Sequence, residues 1–334
     1  MNPILRSHAR RTLKRFGWYR KQALQSITVE SARACNLRCI QCANHAQAAE
    51  ISEGGQGNSK GLMSIETFSR ILPILDRCDT LSFDNHGEPL LNPALESFIR
   101  LAKNRAPHLH TTFTSNFMMM TADRARSLLQ AGLDSIQVSI NGTTKETYEK
   151  IMRGACFETL LENLAAFARV RRTGFNTLTL FSACMTTMRS NLEELVRLPS
   201  ILAPYSVELI RVNTLLPFNQ EAQVEAIYDD PEWNSHREHL HAETLAEAKK
   251  FGISAYFPYV VPRQRKCAYP LRNLAINASG EVSSCWMLDI SPGYHYLLPR
   301  GDSSPSLCES WERTRSGYGC DLELEKIFRV AQGV

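Results

Sequence analysis

The sequence has no apolar run close to the ~18 to 20 residues that a helix needs to cross a membrane. Residues 1–21 also lack an apolar core of signal-peptide length and a cleavage site of small residues. These absences argue against a membrane or secreted protein, and we expect a cytoplasmic one. In that compartment disulfides are rare, so the ten cysteines point to metal binding or catalysis.

Acidic residues are absent from the first 21 positions, which carry seven lysines and arginines. The rest of the chain has 31 basic and 34 acidic residues, so its net charge is −3 although the whole chain has +4. A basic arm over residues 1–24, with Phe16, Trp18 and Tyr19, could contact a membrane surface, a nucleic acid or an acidic partner. More often such an arm is a solvated helix, and we predict no nucleic-acid or membrane partner from it.

Strand patterns alternate with helix patterns along the chain. Helix-capping signals separate the strands; Thr143-x-x-Glu146, for example, looks like a capping box. Six such units predict a parallel sheet in an open (β/α)6 partial TIM barrel, in which functional residues collect at the carboxyl ends of the strands. The predicted strands are 26–30, 80–84, 109–114, 135–140, 177–183 and 207–213.

The pattern changes after residue 225. A long charged helix over 231–250 and a strand over 253–261 form a connection that we assign to 226–262. A β-hairpin signal follows around Ala278-Ser279-Gly280. We therefore predict a core over 25–225 and a small hairpin-containing domain over 263–334.

Three cysteines fall within eight residues, as Cys35-x3-Cys39-x2-Cys42. Thiolates are soft ligands, and a cluster this tight can surround one soft metal centre. Three ligands are one fewer than a structural zinc ion requires, but they suit a [4Fe–4S] cluster that keeps one iron open. Two alternatives are a zinc knuckle completed by His45 and a set of incidental core cysteines.

This spacing, directly after a predicted strand, resembles the radical S-adenosylmethionine (SAM) superfamily. The resemblance implies that Cys35, Cys39 and Cys42 hold a [4Fe–4S] cluster and that SAM binds its open iron. Reductive cleavage of SAM would then give a 5′-deoxyadenosyl radical that abstracts hydrogen from the substrate. An electron donor such as flavodoxin or ferredoxin is also implied, and so is the open (β/α)6 fold.

The turn after the second strand is similar to a SAM-binding turn of the same superfamily. His86-Gly87-Glu88-Pro89 matches a Gly-Gly-Glu-Pro pattern, with His86 in place of the first glycine. The resemblance implies that Glu88 supports the SAM amino group and that Gly87 keeps the backbone close to the ligand. Gly-Glu-Pro alone is also a common turn. Gln41 replaces an aromatic residue, so an aromatic contact to adenine is not available there.

Later turns add weaker matches. Ser115 and Asn116 resemble a Thr-Asn-Gly turn, and Ser139 matches the serine of a Ser-x-Asp pattern in which Asn141 stands for the aspartate. Arg153 resembles the arginine of an Ile-Arg-Gly element that can approach the SAM carboxylate, although such an arginine is as often a surface residue. Together these residues complete the predicted SAM site.

The tail resembles the SPASM and twitch extensions that hold auxiliary clusters in radical SAM enzymes. The matching pattern is Cys267, then Gly280-x4-Cys285, followed by Glu-Ser-Trp at 309–311. The further Cys-x2-Cys-x5-Cys-x3-Cys run of a full SPASM tail is missing. Four thiolates suffice for one auxiliary [4Fe–4S] cluster, and the candidates are Cys267, Cys285, Cys308 and Cys320. Alternatively, Cys308 or Cys320 takes no part and the hairpin domain binds zinc or no metal.

Cys156 and Cys184 lie near the predicted active rim, and either could be a thiol hydrogen donor in the reaction. Core packing is the competing role for both, and it is the expected role of Cys78. The pattern of the tail cysteines favours oxidation over epimerisation.

We predict a radical SAM enzyme acting on a small molecule, such as a sugar or amino-sugar alcohol. Only a basic arm precedes the first strand, so no peptide leader-binding domain is expected within this chain. A ribosomal peptide delivered by a separate partner is the alternative. A non-enzymatic iron–sulfur or zinc regulatory module is disfavoured, because a sensor does not need the predicted SAM site.

Overall fold

The computed structural model describes residues 25–46, 61–173, 178–217, 219–227, 231–257 and 273–283. Within these ranges the strands are β1 Ser26–Val29, β2 Thr80–Ser82, β3 His110–Ser115, β4 Ser135–Ser139, β5 Leu180–Thr187, β6 Leu209–Thr214, β7 Ser254–Tyr256, β8 Asn273–Ile276 and β9 Val282–Ser283. All six predicted barrel strands are present. The basic arm and the tail beyond 283 lie outside the described residues.

Helices separate most of the strands. They are α1 Ala43–Ala46, α2 Ile65–Ser69, α3 Leu95–Arg105, α4 Ala122–Ala131, α5 Lys145–Ile151, α6 Phe157–Thr173, α7 Leu198–Leu202, α8 Gln220–Val224 and α9 Pro231–Lys250. Short 3₁₀ helices cover Leu72–Arg77, Pro89–Leu91, Leu192–Arg197 and Ala203–Tyr205. In the described part of the chain, none of the helices combines the length and the apolar character that crossing a membrane requires.

The strands form one sheet in the order β7-β6-β5-β4-β3-β2-β1-β8-β9. The first eight are parallel to their neighbours, and only β9 is antiparallel, in a hairpin with β8. This confirms the α/β class and the open parallel barrel. The hairpin was expected in a separate small domain, but β8 pairs directly with β1, with Ile27 opposite Leu274.

The sheet has one apolar and one polar face, because apolar residues alternate with polar ones along its strands. Paired residues such as Phe113, Ile136 and Phe181 share the apolar face and are fully buried. They belong to the same core as side chains of the surrounding helices. Parallel strands that are covered on both faces usually consist of apolar residues throughout. The alternation in this sheet therefore indicates that its polar face is not packed against a second apolar layer.

The start of α5 differs from the prediction. Its N-cap is Thr144, whose hydroxyl accepts a hydrogen bond from the backbone N–H of Thr147 at 3.3 Å. Thr143, the predicted cap, instead donates its N–H and its hydroxyl to the carboxylate of Glu194, at 2.5 and 3.1 Å. The predicted capping box was therefore one residue early. The carboxylate of Glu194 binds both threonines, since it also accepts a hydrogen bond from the Thr144 hydroxyl at 2.7 Å.

Candidate functional site

The cysteine loop begins where β1 ends and is fastened to the end of α5. The backbone N–H of Arg38 donates to the carbonyl of Arg153 at 2.8 Å, and that of Ile40 donates to Ile151 at 3.0 Å. Within the loop, the N–H of Cys42 donates to the carbonyl of Cys39 at 3.1 Å. The loop is thus held in shape by backbone contacts, whatever its side chains bind.

Its three cysteines are half-buried. Burial raises the pKa of the Cys35 thiol to about 11, with smaller contributions from Glu88 and Cys42. Burial also raises the pKa of Cys39, and its two neighbouring cysteines raise it further. Thiolates crowded in this way need a cationic centre, which favours their deprotonation. The donor set therefore fits an iron–sulfur cluster.

The spacing of the thiols bears on the zinc alternative. Zinc–sulfur distances of about 2.3 Å place the sulfurs of one zinc ion at most about 4.6 Å apart. Among the described residues, the group of three whose ligand atoms all lie within 4.8 Å of one another is Glu149, Cys156 and Glu158, not the three loop cysteines. The side chain of His45 lies outside the described residues. As arranged, the three loop sulfurs are not all as close to one another as the sulfur ligands of one zinc ion.

Gly87 holds the turn after β2 against the segment that enters the cysteine loop. A Cβ at this position would lie 2.0 Å from the carbonyl oxygen of Ala32 and 2.6 Å from that of Ala34. The N–H of Glu88 donates to the same Ala34 carbonyl at 2.9 Å. We expected this glycine to allow close approach to a ligand; the observed approach is to the backbone of the loop.

The carboxylate of Glu88 joins the ends of β2 and β3. Only 2 % of this residue is exposed. It accepts hydrogen bonds from the Ser115 hydroxyl at 2.7 Å, the Asn116 N–H at 2.8 Å and the Leu90 N–H at 3.1 Å. Burial raises the pKa of Glu88, and these three donors together with Arg124 oppose that rise. Three predicted site residues, Glu88, Ser115 and Asn116, are therefore brought together, and they bond to one another.

Asn116 extends this network to the cysteine loop. Its amide nitrogen donates to the side-chain oxygen of Asn36 at 2.8 Å and lies 4.0 Å from the sulfur of Cys35. The next residue, Phe117, has a φ of +64°, a strained value for a side chain of this size. Asn36 was missed in the sequence; its place directly after Cys35 was the available signal.

Ser139 and Cys184 lie side by side on β4 and β5. They are paired in register, and the hydroxyl oxygen is 3.6 Å from the sulfur. Burial raises the pKa of Cys184 to about 11, although Ser139 and Arg211 act to lower it. Cys184 is therefore a protonated thiol at neutral pH. Asn141 does not join them, because its side-chain oxygen accepts the N–H of Thr186 at 2.8 Å.

Two other predicted site residues lie apart from this group. The guanidinium of Arg153 pairs with Glu221, at 3.0 Å for one of its two contacts, and both side chains are about half exposed. The Cys156 thiol donates to the carboxylate of Glu158 at 3.4 Å. Four predicted auxiliary-cluster ligands lie outside the described residues: Cys267, Cys285, Cys308 and Cys320.

The polar face of the sheet is a feature that we missed in the sequence. Strand pairing places ten side chains in adjacent rows on it, and most are half-buried. Its signal was clearest in β4, where Ser135, Gln137 and Ser139 alternate with apolar residues. At the edge, Asp84 accepts hydrogen bonds from the N–H and hydroxyl of Thr114, at 3.1 and 3.0 Å. The ten residues are Thr28, Ser82, Thr112, Thr114, Ser135, Gln137, Ser139, Ser182, Cys184 and Arg211.

Comparison with known sequences gives consistent matches. The sequence model of the radical SAM superfamily matches residues 29–197. A GTP 3′,8-cyclase of Chlorobaculum tepidum is 26% identical over 145 residues, 43% of this chain and 40% of the relative. The mycofactocin maturase MftC of Mycobacterium tuberculosis is 26% identical over 204 residues, 59% of this chain and 46% of the relative. The chain thus spans less than half the length of these curated relatives.

Solved structures share the fold. SuiB of Streptococcus suis bound to S-adenosylmethionine superposes with a TM-score of 0.60 at 12% identity, covering 87% of this chain and 68% of SuiB. The enzyme anSMEcpe with bound S-adenosylmethionine gives 0.61 at 13% identity, covering 82% of this chain and 73% of that one. At such low identity these likenesses show the fold alone.

Proposed function

Because this chain belongs to the radical SAM superfamily, we propose that it is an enzyme that removes a hydrogen atom from a polar substrate held on the polar face of its sheet. Cys35, Cys39 and Cys42 would hold a [4Fe–4S] cluster whose open iron binds SAM. When bound, these cofactors supply one-electron cleavage of SAM and a radical that abstracts hydrogen. An electron donor such as flavodoxin or ferredoxin would provide the electron.

The polar face is the observation that supports a polar substrate. It presents hydroxyl and amide groups along the strands, together with Asp84 just after β2 and Arg211 within β6. Many of these groups are hydrogen-bonded to one another. An apolar substrate would cover their remaining hydrogen-bonding capacity, at a cost of about 1 to 3 kcal/mol for each group left without a partner. A polar small molecule, such as a sugar or amino-sugar alcohol, can replace the lost hydrogen bonds.

A peptide substrate is the second candidate. Among the relatives, GTP 3′,8-cyclase is named for a nucleotide and MftC for a maturation reaction. SuiB, whose fold is similar, has also been solved with its precursor peptide SuiA. A peptide backbone offers polar groups as well, so it too would suit the polar face. Mass spectrometry of small-molecule and peptide candidates after anaerobic turnover separates the two classes.

The fate of the substrate radical depends on different cysteines. Oxidation needs an electron acceptor, for which the tail cysteines are the candidates through one auxiliary cluster. Epimerisation needs a hydrogen atom from a thiol, and Cys184 supports this second outcome because it lies on the polar face and stays protonated. An auxiliary cluster would raise the iron content of the reconstituted protein from about four to about eight per chain.

The central test is replacement of Cys35, Cys39 and Cys42 together by alanine. We expect this variant to lose all 5′-deoxyadenosine formation from SAM under reductant, since three thiolate ligands of one centre are removed. Cys78→Ala, a buried cysteine of the core, is the matched control and should retain the activity. Cleavage of SAM by the triple variant would show that the cluster is held elsewhere.

A further inference from the structure

Arg211 is an unusual arginine because it projects from the middle of a strand onto the polar face. In β6 it lies in register between Cys184 of β5 and Tyr256 of β7. Its side chain is exposed, and Tyr256 beside it is 56 % exposed. In the part of the chain that the structure describes, no carboxylate or carbonyl pairs with its guanidinium.

Two arginines with little exposure, Arg124 and Arg171, are paired. Arg124 contacts Glu96 at 2.8 Å, and Arg171 contacts Glu208 at 2.7 Å. Arg211 differs from these two, since none of the described residues accepts a hydrogen bond from its five N–H donors. An arginine on a helix surface needs no partner other than water. One that projects over the proposed substrate-binding surface is a candidate for contact with the substrate.

The positive charge of Arg211 affects Cys184, a candidate hydrogen donor. It lowers the pKa of the Cys184 thiol, whereas Asp84, which follows β2, raises it. The thiol therefore lies between a cation on the β6 side and an anion on the β2 side. Asp84 already accepts three hydrogen bonds, from Ser82 and from two groups of Thr114. The guanidinium of Arg211, by contrast, donates to none of the described residues.

We propose that Arg211 binds an oxyanion of the substrate, a carboxylate or a phosphate, and so positions the neighbouring carbon beside Cys184 and Ser139. A guanidinium binds such groups through two parallel N–H···O bonds, which fix orientation as well as position. The proposal rests on the proposed function, because it takes the polar face to be the substrate surface. It adds that the substrate carries a negative charge.

Protection of Arg211 from phenylglyoxal tests the proposal without SAM turnover. The full chain is modified at constant ionic strength with inorganic phosphate, acetate or chloride, and each arginine is followed by peptide mass spectrometry. A ligand at twice its Kd should slow modification about threefold. Protection by phosphate alone indicates a phosphate group, and protection by acetate indicates a carboxylate. Arg100, exposed on α3, is the matched control.

Thermal unfolding gives a second measurement. The protecting anion should raise the Tm of the unchanged protein and of Arg100→Gln, but not that of Arg211→Gln. Equal protection of Arg211 and Arg100, or equal Tm shifts in both variants, would overturn the proposal by showing a general ionic effect. Because neither measurement uses SAM, both can fail while SAM cleavage persists, and then only this inference is lost.

Discussion

Two groups of polar residues lie on or just after the parallel strands, and they differ in how fully they are bonded. The β2–β3 group, Glu88, Ser115 and Asn116, is buried and its hydrogen bonds are made within the protein. The β4–β6 group, Ser139, Cys184 and Arg211, has one long contact and a guanidinium with no described partner. The first group suits a rigid support for the cysteine loop, and the second retains donors for a ligand.

The largest effect is expected from Gly87→Ala, which disrupts the packing of the turn after β2 against the segment that enters the cysteine loop. The new Cβ would lie 2.0 Å from a carbonyl oxygen of the segment entering the cysteine loop. Because backbone must move, we expect a loss of at least ~3 kcal/mol in unfolding free energy and of most cluster iron. Urea unfolding and iron analysis measure both. Gly252→Ala, whose Cβ meets no atom within 4 Å, is the control for backbone strain.

Glu88→Ala should have the next largest effect. It leaves the Ser115 hydroxyl and two backbone N–H groups without their acceptor, which should cost about 3 kcal/mol in unfolding free energy. If Glu88 also supports the SAM amino group, SAM binding should weaken by ~1.5 to 3 kcal/mol. Calorimetry and urea unfolding report the two effects separately.

The matched control for Glu88 is Glu162→Ala, an exposed carboxylate on α6. Its stability should change by no more than ~0.5 kcal/mol. Similar values for the two variants would show that the β2–β3 group does not support the site. Unchanged SAM affinity in Glu88→Ala would remove Glu88 from the SAM site and leave its structural role intact.

Turnover in deuterated buffer tests the chemical role of the β4–β6 group. If Cys184 returns hydrogen to the substrate radical, the product carries solvent deuterium without net oxidation, and Cys184→Ala stops that labelling. If the tail cluster accepts an electron instead, replacing Cys267 and Cys285 stops turnover after abstraction. Product mass spectrometry distinguishes the two results, with Cys78→Ala as the control. A labelled product from Cys184→Ala would exclude Cys184 as the donor.

The smallest effect is expected on the titration of Cys184. Arg211 lowers the pKa of this thiol, so Arg211→Gln should raise it above its present value of about 11. Less thiolate is then present at a given alkaline pH, and alkylation of Cys184 between its ordinary pKa of 9.0 and 11 should slow. Arg100→Gln should leave the rate unchanged. A faster rate in Arg211→Gln would contradict the proximity of the two groups.

Local patterns in the sequence were enough to predict the parallel strands and the position of the cysteine loop. Apolar periodicity and turn residues are properties of neighbouring positions, so they can be read without the fold. The contacts of the site residues are different. Two of these contacts, the ion pair of Arg153 with Glu221 and the hydrogen bond from Thr143 to Glu194, join segments more than 50 residues apart. The spacing of residues in the sequence does not identify such distant partners.

The polar face could be predicted from the sequence only in part. Alternation of polar and apolar residues was visible in the sequence of β4, Ser-Ile-Gln-Val-Ser, yet which face the helices would cover depends on how all strands pack. The placement of β8 beside β1 was still harder to foresee, since paired residues such as Ser26 and Asn273 are 247 positions apart and the strands bond through backbone groups that every residue has.

That placement has a consequence for synthesis of the protein. β1 can pair with β2 once residue 82 has emerged, but its other edge waits for residues 273–276. At translation rates of about 5 to 20 residues per second, the strand that leads into the cysteine loop has one open edge for roughly ten to forty seconds. Open edges can pair with other chains. A nascent chain stalled before residue 273 would therefore present an aggregation-prone edge directly beside its cysteine loop.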